Sequence, residues 1–396
     1  MKRIQSILFI VFCALVMRGN TQSSTDTIWS YQMLTKIQAL QQTNIGFPPG
    51  IFPTTRVYAY NKNNSKNDPN VFFTGLIVHT LKKYQKQCTP YQQGLIQQIV
   101  KDGLSSVGLF KNKSGRDTYN FWRTDTPQIF PNAGWLNSFD KSQSLPDDFD
   151  DTVILLWAQE VSRDRAAVIH DTMQLYANTK VKTVKNTLAP FKYLPAYSTW
   201  FGKKMPIDFD MAVLCNVLSF VNAYDLKWTA SDSASLQLIT TAINNNWHVT
   251  KSDFIAPHYA KPAVIMYHLA RLISAGNQQN IQTLIALKPT LLKQTDSLLA
   301  TSTDPLENVL LSSARVQFGG TISVQATNIE ASQALDAYAI EQSKYPFFIA
   351  NMASMLPSPI KRPLSKLAFA KFEYRCPAYN LALLWENRYL CVPLHK

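Results

Sequence analysis

The sequence predicts a single all-α domain, built as a closed array of antiparallel helical hairpins, and three observations carry that expectation. Hydrophobic residues recur with helical periodicity from end to end, whereas strand-like alternation is scarce. Clusters of Gly, Pro and Asn punctuate the periodic segments, as at Gly46–Gly50, Asn61–Asn70, Lys111–Gly115 and Pro127–Gly134. No Ser/Pro/Gly-rich linker divides the chain, so its amphipathic helices must find neighbours for their apolar faces within one core. A hydrophobic content of 46% over 396 residues is enough for such a core.

Met1-Lys2-Arg3, the apolar run Ile7 to Met17 and the polar stretch from Arg18 together have the layout of a secretory signal peptide. Residues 1–22 therefore read as a leader and 23–396 as the mature domain. The apolar run is too short to span a bilayer comfortably, and no later one is long and free of charge. No transmembrane segment is expected once the leader is removed, and the expected location is secreted or periplasmic. Helices are expected over Phe72–Leu81, Val153–Val161, Ala166–Ala177, Met211–Ala223, Ser233–Asn244, Ala263–Ser274, Ile281–Ala286, Thr295–Thr301 and Ile329–Ile340. The stretch Gly115–Pro146 has no clear periodicity. Its aromatics, Trp122 and Trp135 among them, could wall a ligand pocket or simply pin the loop to the surface.

Four cysteines follow the leader: Cys88, Cys215, Cys376 and Cys391. In an oxidising compartment Cys376 with Cys391 is the pairing expected, while Cys215, inside an apolar run, reads as a buried thiol. The net charge of +13 falls when Lys2, Arg3 and Arg18 leave with the leader, but the rest stays basic; it could meet an anionic envelope, glycan or membrane surface, and a solvated lysine-rich surface is the plainer reading. The basic residues are scattered rather than interleaved with aromatics, which speaks against nucleic acid.

The densest chemistry lies at Asp147-Asp148-Phe149-Asp150-Asp151-Thr152, four carboxylates in five positions before an apolar run. Pro146 suits the first position of a helix, and aspartates in a first turn are favoured by the helix dipole. That accounts for one or two acids. Carboxylates at i,i+3 and i,i+4 also share a face and repel, so at least one should hold its proton more tightly than usual. Asp208 and Asp210, before the helix at Met211, repeat the arrangement.

Asp148-x-Asp150-Asp151-Thr152 resembles the DxDD(T) element of class II terpenoid cyclases, including the squalene-hopene cyclases. The resemblance implies an α/α toroid of inner and outer helices. It also implies a general acid at the motif's middle aspartate, here Asp150, which protonates an alkene or epoxide while Asp148 and Asp151 hold its proton in place. The QW repeats of that family are absent from this chain. Read as Asp147-Asp148-x-x-Asp151, the same residues match the DDxxD element that holds Mg²⁺ in class I prenyl-diphosphate enzymes. No second metal motif follows downstream, so no metal ligands are assigned and Mg²⁺ stays open.

Asp147, Asp208, Asp210, Trp122, Trp135, His258 and His268 are the candidate substrate contacts. His268 and Arg271, one turn apart, share a helix face and could reach a polar cavity; a histidine packed in the core is the plainer reading. No H-E-x-x-H, phosphate loop, G-x-G-x-x-G or G-x-S-x-G occurs, which lowers zinc-hydrolase, nucleotide and serine-hydrolase chemistry. Three functions remain in play. They are acid-initiated chemistry on an isoprenoid, glycan processing by a lyase or glycosidase with Asp150 and Asp208 or Asp210 as acid and base, and ligand binding without turnover.

Overall fold

A computed structural model of the protein describes residues 27–42, 46–126, 145–180, 182–202, 205–321, 344–351, 353, 356 and 358–391. The expected leader, the helix expected over Ile329–Ile340 and Trp135 lie outside the described residues. The chain opens with α1 (residues 27–42), β1 (Thr55–Tyr58), β2 (Asn61–Asn67), α2 (Phe72–Tyr84) and α3 (Pro90–Ser105). Next come α4 (Phe149–Ala158), α5 (Arg163–Gln174), α6 (Met211–Ala223), α7 (Ala230–Asn244), the one-turn helices α8 (Trp247–Thr250) and α9 (Ser252–Ile255), and α10 (Pro262–Ser274). The chain closes with α11 (Gln282–Ile285), α12 (Lys288–Thr301), α13 (Pro305–Gln317), β3 (Phe348–Asn351), α14 (Ser358–Leu364), β4 (Lys371–Arg375) and α15 (Pro377–Cys391).

Mostly helical is right, and all-α is not. Four strands form an antiparallel sheet in the order β2-β1-β4-β3. Local pattern concealed it for two reasons. The edge strand β2 is Asn-Lys-Asn-Asn-Ser-Lys-Asn, wholly exposed, and its lysines and asparagines suit an edge that must not recruit another strand. The central pair joins Thr55–Tyr58 to residues 372–375, from opposite ends of the chain.

Six helices pack in a closed cycle: α2 on α4, α4 on α6, α6 on α10, α10 on α13, α13 on α15, and α15 back on α2. In α4, Val153, Ile154, Leu155 and Leu156 are all shut from solvent, and burying each contributes about 1.5–3 kcal/mol. Gly75 of α2 lets that helix come close, since a Cβ there would stand 3.0 Å from both Ile154 and Leu155. By contrast α3 buries only the stripe Gln92, Ile96, Ile99 and Gly103 and lies against α2, as α7 lies against α6 and α12 against α13.

Caps fix the helix starts. Thr89 and Thr229 form capping boxes at α3 and α7, and Asp304 caps α13. Pro146 does not open α4; Asp148 caps it in extended conformation and the helix begins at Phe149. The cysteine pairing is also corrected, because all four described cysteines are free thiols. Cys376 and Cys391 flank the two ends of α15, whose 15 residues put them on the order of 20 Å apart, far beyond the ~7 Å a disulfide spans. Cys215 is a buried thiol, as expected, and burial raises its pKa well above the usual range. Among the described residues, no helix is long and apolar enough to cross a membrane.

At the end of α10 the chain turns through Gly276 in the left-handed region, with φ +48°, and a Cβ there would stand 2.1 Å from the Asn222 carbonyl oxygen. Gly276→Ala should therefore destabilise the protein by about 2–4 kcal/mol in urea titrations. A loss under about 1 kcal/mol would show that this turn relaxes freely.

Candidate functional site

The acidic motif sits where four helices of the cycle begin. A cavity of about 80 Å³, room for several waters or a small hydrocarbon group, is lined by Phe72 at the start of α2, Asp148, Asp150 and Asp151 at the start of α4, and Val213 near the start of α6. His258 and Tyr259, just before α10, and Thr199 complete the polar wall. The remaining walls are aromatic and apolar: Phe121, Trp122, Leu145 and Trp200 come from loops, while Phe348, Ala350 and Tyr374 come from the sheet. Phe348 and Tyr374 stack with ring centroids 4.5 Å apart.

Each carboxylate has a distinct task. Asp148 Oδ1 accepts the Asp151 backbone N–H at 2.6 Å and so caps α4. Asp150 Oδ1 accepts from the Asn216 amide at 2.7 Å, and its Oδ2 accepts from the Tyr259 hydroxyl in a short contact. Asp151 is buried, and its Oδ1 has no hydrogen-bond partner among the described residues. Burial, reinforced by Asp150 and Asp147, pushes the Asp148 carboxyl up to about 7. Burial and the adjacent Asp148 drive Asp151 well above the carboxylate range. Burial raises Asp150 too, opposed by the hydrogen bonds from Tyr259 and Asn216. One proton therefore resides on the Asp148 and Asp151 pair at neutral pH, because two touching carboxylates out of water cannot both ionise.

Asp208 and Asp210 lie one layer back. Asp210 caps α6 through Ala212 N–H at 2.8 Å and Val213 N–H at 3.3 Å, and its second oxygen accepts the His258 backbone N–H at 2.8 Å. Burial lifts the Asp210 carboxyl to about 6. Asp208 Oδ2 meets His258 Nε2 at 2.8 Å, and Asn186 donates to Oδ1 at 2.8 Å. Burial would raise the Asp208 carboxyl, but the His258 imidazole outweighs it and holds it low. Burial would likewise lower His258, and Asp208 holds it high. The buried Lys361 adds positive potential behind them. Trp200 meets the His258 ring edge-on at 5.6 Å.

Of the residues expected from sequence, Asp148, Asp150, Asp151, Trp122 and His258 reach the cavity. Asp147 does not line it, since Arg116 at 3.2 Å, Thr118 and Asn112 take up its carboxylate and tie down the preceding loop. Asp208 and Asp210 act through His258 instead of touching the cavity. His268 is not a lining residue either. It is buried in α10 behind Tyr259, 4.9 Å between ring centroids, with Nδ1 on the Val264 carbonyl at 2.7 Å, and burial lowers it to about 3. The partners that hold the acid, Asn216 and Tyr259, were visible only as a polar residue inside an apolar helix and as a tyrosine beside a histidine. Among the described residues, no cluster of three His, Cys, Asp or Glu is arranged to hold a metal ion.

A carboxyl whose proton affinity rises on folding stabilises the fold at low pH, and that contribution is lost as pH climbs through the folded-state value. The loss runs from the ordinary carboxylate value up to about 6 for Asp210 and up to about 7 for Asp148. Asp151→Asn should therefore raise the Tm at pH 8 by a few degrees and by less at pH 4; an equal gain at both values would show that ionisation is not the cause. His258 stabilises below the ordinary histidine value and loses that contribution as pH rises through its elevated one. Asp208→Asn should shift the His258 ring titration, followed by NMR, to lower pH. An unmoved midpoint would separate the two residues electrostatically.

No family model, no curated protein and no solved structure matches this chain.

Proposed function

We propose that this cavity is the active site of an acid-initiated reaction on an apolar, isoprenoid-like substrate, with Asp150 as proton donor. The observation that carries the reading is a buried set of carboxyl groups with raised proton affinity opening on a cavity walled by Phe72, Phe121, Trp122, Trp200, Tyr259, Phe348 and Tyr374. A proton passed to Asp150 from the Asp148 and Asp151 pair would sit on a buried carboxyl of raised proton affinity, shielded from water and facing the substrate, and aromatic faces would stabilise the carbocation that its transfer creates. Asn216 and Tyr259 orient Asp150 from either side, and the Asp148 and Asp151 pair stands beside it as a proton reserve.

The proposal extends to architecture. The closed helix cycle, with the starts of α2, α4, α6 and α10 gathered at one cavity, serves as the inner ring of an α/α toroid, and α3, α7 and α12 belong to its outer layer. The sheet walls the acid-bearing end. The proposal includes export: residues 1–22, read as a leader, would carry the protein out of the cytosol. One observation favours glycan processing as a second reading: the Asp208 and His258 dyad presents an oriented imidazole next to Tyr259, a pairing suited to proton abstraction from a polar substrate.

Isoprenoid-lipid and glycan extracts incubated with residues 23–396 and followed by mass spectrometry separate these readings. The expected outcome is a new isoprenoid product whose rate of formation falls about 10²–10⁴-fold in Asp150→Asn. A changed glycan profile that depends on His258 would transfer the site to the second reading. Product formation unaffected by Asp150→Asn would remove Asp150 from the chemistry.

A further inference from the structure

The opposite ends of the same helices form a second pocket of quite different character. His79, Lys82 and Lys83 near the end of α2, Trp157 of α4 with the following Glu160, and Arg271 and Ser274 near the end of α10 surround a cavity of about 240 Å³. Because α2, α4 and α10 begin at the acidic cavity and end here, the three run in the same direction. Their terminal carbonyls attract cations, which explains part of the basic character. Lys82 Nζ illustrates this, donating to the Ala158 carbonyl at 2.9 Å and pairing with Glu160 at 2.7 Å.

Arg271 is not explained that way. The residue is only 5% exposed, and neither terminal nitrogen has an acceptor among the described residues. The nearby buried carboxylate, Glu386, is already engaged by Lys83 at 3.2 Å, Tyr84 at 3.4 Å and the Tyr267 hydroxyl. The Tyr267 ring lies 5.7 Å from the guanidinium carbon, a contact that leaves the in-plane N–H groups unused. A guanidinium cannot shed its charge as a lysine can, and an unmatched one out of water costs several kcal/mol. Counting neighbours, Arg271, Lys82 and Lys83 face Glu160 and Glu386, which leaves one positive charge in excess. His79 is kept neutral by burial and by Arg271, Lys83 and Lys82, so it adds a donor without adding charge. Its ring packs on Trp157, 4.1 Å between centroids, as one wall.

We infer that this pocket binds a phosphate-type oxyanion, with Arg271 as the bidentate anchor and Lys82 and Lys83 at its rim. Planar guanidinium geometry matches two oxygens of a tetrahedral anion, and 240 Å³ accommodates the anion with a short substituent. The inference is independent of the chemistry assigned to the acidic cavity. The anion could be a free phosphate or the headgroup of a phospholipid, and the same chemistry recognises both.

The test titrates the protein with inorganic phosphate and with glycerol phosphate at constant ionic strength, reading calorimetric heat and the Tm shift against chloride, alongside co-sedimentation with phosphatidate vesicles. Saturable binding of the soluble anions, weakened at least tenfold in Arg271→Met and a few-fold in Lys82→Gln, identifies a soluble ligand. Co-sedimentation alone, with the same dependence, identifies a headgroup; either result upholds the site. Should Arg271→Met fail to fold, the wild-type titration and Lys82→Gln decide. Neither binding nor co-sedimentation beyond the chloride control, or binding that persists unchanged in the variants, overturns the inference.

Discussion

Like charges gathered out of water at the starts of neighbouring helices impose the constraint that organises this molecule. A buried carboxylate is tolerated only when something replaces its hydration, and each acid here recruits a different replacement. Asp148 and Asp210 serve as helix caps, Asp150 draws on Asn216 and Tyr259, Asp208 draws on His258, and Asp151 holds on to its proton. These solutions require α4, α6 and the approach to α10 to stand side by side. The packing of the cycle and the electrostatics of the site are thus one arrangement: a helix displaced from it would strand a charge as well as expose apolar surface.

The sheet belongs to the same logic. Phe348, Ala350 and Tyr374 close one side of the cavity with apolar groups, which keeps the local dielectric low and makes the proximity of Asp148, Asp150 and Asp151 count. Low dielectric also carries influence along the helices. Arg271 lies near the far end of α10, yet its charge still favours the Asp150 carboxylate, so the acidic end and the basic end share one field. Buried like charges held together in this way cost local stability.

Much of the helical content was legible because it depends on local periodicity. Met211–Ala223 coincides with α6, and Phe72–Leu81 and Ala263–Ser274 fall inside α2 and α10. Helices led by proline and poorer in apolar residues, such as Pro90–Ser105 and Pro305–Gln317, escaped the same reading because each buries a narrow stripe. The sheet escaped because the partners of β1 and β4 are separated by most of the chain. At the site, the crowding of aspartates marked the place correctly. It did not separate Asp147, which an arginine takes out of play, from Asp151, which lines the cavity and shares a proton with Asp148.

The sequence by itself determined many of the helical segments and the position of an acidic cluster at a helix start, since both follow from residues within a few positions of one another. Only the tertiary structure decided which acids share a proton, which one pairs with a histidine and which aromatics enclose the cavity. Those properties depend on burial and on partners such as Asn216, Tyr259 and Asp208, brought together from segments far apart in the chain.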